Sequence, residues 1–483
     1  MGSIKNETVR AAQWVLIQKC TLQPIQLIYG MILARFISPA EMGIIGLTAI
    51  FFAIASQLST AGFAAALIRK LDRSDDDLNT AFWFNLIMSG VLGGCLFMLS
   101  PWFASYFAQP ELLWLTRISA VMLFISSSTG VHTTIYQYKR DFKSLAIIGI
   151  ASTISGMPVC LALAYFGYGV WALCAQQVTS AIVTLFMVWK LSEWHPQFIF
   201  SKKSFNYLFS FGNKIALAGI VHSIYAHLKT FIIGKFYSPT QLGLFYRANT
   251  LAAVFPNTLN STLASITFPI LSTIQNDTQR LCQVYKKYIK LSSLVIAWVS
   301  MFAVFAATPL VSVLYGEKWV ACSIYLQILC FEHAFIHISD INQDLLKILG
   351  RSSLFLKIEM IKKILSVVIL IFAAKYGVSA ICFGFVTYSQ ISIVINCHYT
   401  KKLIGLSWME QQKDYLPYYF FAAVASYPTL ALNIFEHIPV LQVLFGGIVS
   451  FVLYFGSLWL LRDKALDELI CIIQEKVKYN KTT

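Results

Sequence analysis

Several cations lie inside apolar stretches where a lipid-facing helix would not hold them: Lys19, Arg117, Lys214, Lys229 and Arg247. Successive helical residues turn by ~100°. On that geometry Lys214, His222, Tyr225 and Lys229 share one narrow stripe. Lys19, Gln23, Gln26 and Gly30 share a face of an earlier stretch, and Arg247, Thr250, Asn257 and Ser261 line a third. A charge at the centre of a spanning helix costs ~2.5–3.5 kcal/mol on an insertion scale, so such groups face water or one another. The chemistry open to them is anion binding by point charges. Lys19, Lys214, His222, Lys229 and Arg247 are therefore candidate substrate contacts in a hydrated cationic cavity. Pairing with intramembrane acids is the alternative, but the acids lie mostly on a different stretch.

That stretch carries Glu332, His333, His337, Asp340 and Asp344, with Lys347 at its end. His333, His337, Asp340 and Asp344 form a second stripe. Histidine and carboxylate within a membrane helix relay protons or bind a cation, so these four are candidates for ion coupling. A plain structural network fits equally well. No Glu follows His333 to make the H-E-x-x-H pattern of a zinc site, and no metal or cofactor is expected. Glu359 and Lys363 stand at i, i+4, the spacing of a pair within one helix.

The elements that position these residues are set by a repeat. Leu33-Ala-Arg-Phe-Ile-Ser-Pro-Ala-Glu-Met-Gly43 returns as Ile233-Gly-Lys-Phe-Tyr-Ser-Pro-Thr-Gln-Leu-Gly243. Arg35, Ser38, Pro39 and Gly43 thus match Lys235, Ser238, Pro239 and Gly243. Ser as N-cap, with Pro at the first helical position, starts a helix. Glu41 and Gln241 follow at capping-box spacing. Each copy reads as a sharp turn between two helices. Tyr168-Gly169-Val170 and Tyr376-Gly377-Val378 repeat in the same way. The chain reads as a six-helix bundle over 1–200, a second over 201–403, two further helices over 404–462 and an amphipathic tail over 463–483. Repeated halves are a common plan for transporters.

Composition sets the class. Of the 483 residues 57% are hydrophobic and only 12% charged, against about 25% charged in soluble proteins. The mean hydropathy is +0.67. Apolar runs recur end to end, giving about fourteen transmembrane helices at ~20 residues each in an all-α polytopic protein. The net charge of +15 is carried by alternate loops, such as Arg69-Lys70-Arg73, Lys139-Arg140-Lys143 and Lys401-Lys402. It reflects cytoplasmic loops rather than nucleic-acid binding, and it places both termini in the cytoplasm. The ten cysteines show no C-x-x-C pair and read as small hydrophobes. No loop is long enough for a soluble catalytic domain, so an enzyme is not expected. Ser74 with Asp75, Asp76 and Asp77 reads as a helix cap rather than a metal-binding cluster.

The R-F-x-S-P-x-x-x-G turn, Ala61-Gly-Phe-Ala-Ala-Ala-Leu-Ile-Arg69, Asp77-Leu-Asn-Thr-Ala-Phe-Trp83, Gly167-Tyr-Gly-Val-Trp-Ala172 and Gly316-Glu-Lys-Trp319 resemble bacterial polysaccharide transporters. These belong to the multidrug/oligosaccharidyl-lipid/polysaccharide exporter superfamily. The resemblance implies a flippase of undecaprenyl-diphosphate-linked oligosaccharide in the inner membrane, serving O-antigen, capsule or exopolysaccharide. It implies the lipid-linked substrate and the bilayer as partners, with a polysaccharide polymerase and chain-length machinery beside them. Related peptidoglycan-precursor flippases carry arginines along the first helix. Here that stretch offers Gln23 and Tyr29, with Lys19 its only cation, which argues against that substrate. An ion-coupled drug or cation antiporter of the same superfamily is the competing reading, disfavoured by the basic stripes. A membrane polymerase or ligase is a third, and it lacks the large outer loop such enzymes need.

Overall fold

The computed structural model describes residues 2–70, 72–431, 438–471 and 474. Among them every regular element is a helix. The chain divides into two compact units, Met1–Gly243 and Leu244–Thr483.

The first unit holds α1 (Gly2–Phe36), α2 (Pro39–Thr60), α3 (Phe63–Arg69), α4 (Asp75–Tyr106), α5 (Glu111–Tyr138), α6 (Phe142–Tyr165), α7 (Val170–Leu191), α8 (Lys202–Phe236) and the start of α9 (Pro239–Thr273). The turn read from the repeat is present. Ser38 Oγ accepts from the Glu41 N–H at 3.3 Å, and Glu41 Oε2 takes the Ser38 N–H at 2.7 Å, a complete capping box. Ser238 caps α9 through the Gln241 N–H at 3.3 Å. The acidic run caps α4 as its spacing predicts. Asp77 accepts the Ser74 N–H at 2.9 Å and is paired with Lys70 at 2.6 Å.

Within this unit α4 lies along α5, α6 along α7, and α1 against α6. Phe63, Leu67, Leu78, Phe82, Ile135 and Leu208 form a buried core joining α3, α4, α5 and α8. The segment between α7 and α8 is strapped across this core. Asn79 Oδ1 accepts the Gln197 N–H at 2.7 Å, Trp83 Nε1 donates to the Gln197 carbonyl at 2.7 Å, and Thr80 Oγ1 accepts the Ser201 N–H at 3.0 Å. His132 and Ser192 meet at 2.8 Å beneath Trp189 and Trp194. The strap fixes where α8 begins, and α8 then runs back along α2.

The second unit holds the rest of α9, then α10 (Thr278–Phe305), α11 (Ala307–Tyr315), a 3₁₀ turn (Glu317–Cys322), α12 (Ser323–Ile348), α13 (Ser352–Ala373), α14 (Val378–Ile404), α15 (Trp408–Ser426), the short α16 (Pro428–Ala431) and α17 (Pro439–Leu460). Buried polar groups tie α12, α14 and α15 together. Asn342 Nδ2 donates to Gln411 at 3.0 Å, Thr400 donates to Asn342 at 2.5 Å, and Asn396 Nδ2 donates to Ser339 at 2.9 Å. In an apolar surround such groups must satisfy one another, which fixes helix register. A final helix over 464–471 folds back on this unit. Leu466 is buried, Glu468 pairs with Lys287 at 2.9 Å, and the Tyr418 hydroxyl donates to Asp463 at 3.1 Å. Ile473, Glu475, Val477 and Lys478, read in sequence as part of an amphipathic tail, lie outside the described residues.

Among the described residues ten helices are long and apolar enough to cross a membrane. The fourteen spans read from sequence add α1, α9, α13 and α15, which are not among these ten. The reason lies in their own residues. Lys19 and three glutamines sit near the middle of α1, Arg247 and Asn257 on α9, Glu359, Lys362 and Lys363 on α13, and Lys413 and Asp414 on α15.

Candidate functional site

On α1, Gln18 lies against Gly149 of α6, and the Tyr29 hydroxyl donates to Gln176 of α7 at 2.7 Å. These polar contacts hold α1 by one face and leave Lys19, Gln23 and Gln26 exposed on another. On α8 the stripe holds together: Lys214 and His222 are exposed, and Tyr225 and Lys229 are half-buried. Lys214 lines a cavity of about 450 Å³ with Leu58, Phe84, Met88, Asn213 and Leu217, walled by α2, α4 and α8. Among the described residues Lys19, Lys214 and His222 have no ion pair. Two acids of this unit, Asp77 and Glu193, are paired with Lys70 and Lys139.

Arg247 stands in different surroundings. It is 9% exposed, with its guanidinium 4.7 Å above the Tyr315 ring and 5.5 Å from that of Trp319. The aromatic pair comes from α11 and the 3₁₀ turn, and Trp319 is fully buried. Sequence periodicity puts Arg247 on a polar face and says nothing of this aromatic seat.

The stripe on α12 splits between neighbours. His333 Nε2 meets Asn249 of α9 at 3.3 Å, and Asp340 accepts from Asn260 Nδ2 of α9 at 2.7 Å. His337 is buried and meets Ser293 of α10 at 3.1 Å. Asp344 pairs with Lys347 at 2.8 Å on its own helix. Glu359 of α13 pairs with the fully buried Lys362, at i+3, where the i, i+4 spacing points to Lys363. Its signal was present, since Lys362 and Glu359 are one helical turn apart. Among the described residues no His, Cys, Asp or Glu side chains gather closely enough to hold a metal ion. The second unit also contains an apolar cavity of about 790 Å³, lined by Phe305, Phe331, Phe335, Leu416 and Phe420 with Lys413 at its wall.

An all-helical chain with polar stripes buried in apolar spans is a multi-pass membrane protein, and its fold is that of a known transporter class. Over 93% of this chain and 99% of the other, it superposes on the lipid II flippase MurJ in its inward closed conformation, with a TM-score of 0.72 at 11% identity. That likeness establishes the fold alone. Residues 32–324 match the polysaccharide biosynthesis protein family, and the chain belongs to that family. It is 23% identical over 474 residues to the succinoglycan biosynthesis transport protein ExoT of Rhizobium meliloti, covering 95% of this chain and 93% of that one. It is 22% identical over 436 residues to the lipopolysaccharide biosynthesis protein WzxC of Escherichia coli, covering 89% and 88%.

Proposed function

We propose that this protein carries lipid-linked oligosaccharide units across the cytoplasmic membrane by alternating access, delivering them for assembly of a surface polysaccharide. The single observation that carries the reading is the acid-free cationic stripe of α8 in a transporter fold. A diphosphate-linked substrate brings at least two negative charges into a low-dielectric region. The idealised cost of transferring one bare ion is ~20 kcal/mol. Lys19, Lys214, His222 and Lys229 offset that cost, and lysine point charges release an anion more readily than bidentate arginine clamps. Arg247, on its aromatic seat, is a further cation for the phosphates. The apolar cavity beside α15 suits a prenyl chain, with Lys413 near an anionic headgroup.

His333, His337, Asp340 and Asp344 are proposed to couple transport to an ion. What supports this is that His333 and Asp340, one on each side of the buried His337, reach polar side chains of α9, Asn249 and Asn260. The internal repeat, with its alternating loop charge, supports two halves of like orientation and cytoplasmic termini. A polymerase and chain-length machinery would take the product.

The test is export in cells deleted for this gene. Lys214→Ala should abolish surface polysaccharide and leave lipid-linked units on the cytoplasmic side, at normal protein level. Lys318→Ala, on the exposed 3₁₀ turn, should change little. Normal export by Lys214→Ala together with Lys19→Ala and Lys229→Ala would end the cationic-site reading.

A further inference from the structure

The two copies of the repeated turn touch. A Cβ added to Gly43 would fall on the carbonyl oxygen of Pro239 and lie 3.0 Å from the Gly243 nitrogen. A Cβ added to Gly243 would fall on the carbonyl oxygen of Pro39 and lie 3.1 Å from the Gly43 nitrogen. The relation is reciprocal, as a local two-fold axis between the turns requires. Both copies lie in the Met1–Gly243 unit. No side chain fills the contact, and a methyl group on either glycine forces the backbones apart.

Neighbouring contacts hold the same place shut. Lys235 Nζ donates to the Tyr106 carbonyl at 2.8 Å and sits 3.6 Å from the centre of the Tyr106 ring. Phe231 packs edge-on to Phe107 with ring centres 5.6 Å apart. Leu47 fills the space over Gly234, so a Cβ there would strike it. At the other end of the same helix pair, Gly62 (φ +69°) lies against the backbone of Gly212. The α2–α8 seam is therefore closed at both ends.

Only one end has features of a contact built to part. The turns bring the N-termini of α2 and α9 together, so two helix dipoles meet positive end to positive end. The Glu41 carboxylate offsets the charge of α2, whereas α9 has a neutral Gln241 at the matching place. Glycine–carbonyl contacts of this kind are weak individually and depend on close fit.

We infer that the paired Ser-Pro-x-x-x-Gly turns form the outer closure of the transport path, sealed by backbone against backbone. This rests on the transport reading above and on the orientation given by loop charge. Release outside follows when the Gly43 and Gly243 segments separate, with the Lys235–Tyr106 contact as the latch.

The test uses the full chain in membranes, with the exposed Cys20, Cys95 and Cys471 changed to serine. Leu47→Cys, at a buried position one turn below Gly43, is the reporter. A membrane-impermeant maleimide is added from outside. Gly243→Ala should raise the labelling rate about tenfold by shifting the population toward the open form. Lys235→Met should raise it in the same direction without touching the glycine contact. Gly46→Ala should leave it unchanged, because that Cβ would meet only Thr230, at an ordinary 3.9 Å. If Gly243→Ala fails to insert, Lys235→Met decides. Unaltered labelling in the inserted variants overturns the closure, and so does an equal rise with Gly46→Ala. Accumulation of lipid-linked units is scored separately. Faster labelling in a strain that never accumulates them keeps the closure and removes the substrate assignment.

Discussion

Lys214 and Arg247 are equivalent in the sequence, each a cation on a polar stripe of an apolar stretch, and they differ in what surrounds them. Lys214 is exposed beside a cavity with no carboxylate partner, so its replacement should act on transport and leave folding intact. Arg247 is enclosed, and its stacking on Tyr315 and Trp319 adds ~0.5–2 kcal/mol to stability. Arg247→Ala should therefore lower thermal stability in detergent as well as export, whereas Lys214→Ala should lower export alone. A melting curve for Arg247→Ala that overlays the parent would remove the structural role. Helical periodicity made the stripe legible, because it depends only on spacing. The aromatic seat was not legible, because Tyr315 and Trp319 come from a turn far along the chain.

At the scale of elements, Asp77-Leu-Asn-Thr-Ala-Phe-Trp83 shows the same limit. In sequence it marks a family. In three dimensions Asn79, Thr80 and Trp83 hold the backbone that leads into α8, with Asn79 reaching a partner 118 residues away. Removing the Asn79 acceptor leaves a Gln197 N–H unsatisfied, a loss of ~1–3 kcal/mol if water cannot replace it. Asn79→Ala should lower the melting temperature and expose the strap to protease. A strap cleaved no faster than in the parent would show that the bond carries no weight. The capping boxes, by contrast, were readable, since each spans four residues. On α12 the spacing put four ionisable residues on one stripe but did not show their neighbours. Loss of gradient dependence in Asp340→Asn, with the protein still inserted, would assign the α9-facing side to ion coupling. Unchanged dependence would leave Asp340 as a packing residue bound to Asn260.

At the scale of the whole molecule, composition alone made the class plain, and the helix ends follow the apolar runs closely. The helices outside those ten hold polar and charged groups within their length, Lys19 on α1, Arg247 on α9 and Glu359, Lys362 and Lys363 on α13 among them, which is why a count based on apolarity and one based on the repeat disagree. Topology is the measurement that resolves them. Reporter fusions after Asp76, Lys203 and Lys402 should read as cytoplasmic, and those after Glu111 and Ser238 as periplasmic. A further outer position, Glu436, lies outside the described residues. One inversion within the series would break the two-halves reading.

The glycine–proline clasp between the repeated turns has an electrical consequence. Its touching atoms are glycine α-carbons and proline carbonyls, none of which bears a formal charge. A membrane potential does work of ~2.3 kcal/mol per elementary charge per 100 mV, and parting these atoms moves no such charge through the field. The clasp atoms themselves are then silent to voltage, and the charges that move with them are those of the adjoining Lys235 and Glu41. A dependence of export on membrane potential then enters through the phosphates being carried, through the ionisable groups of α12, or through Lys235 and Glu41 beside the clasp, and not through the glycine–proline contact itself.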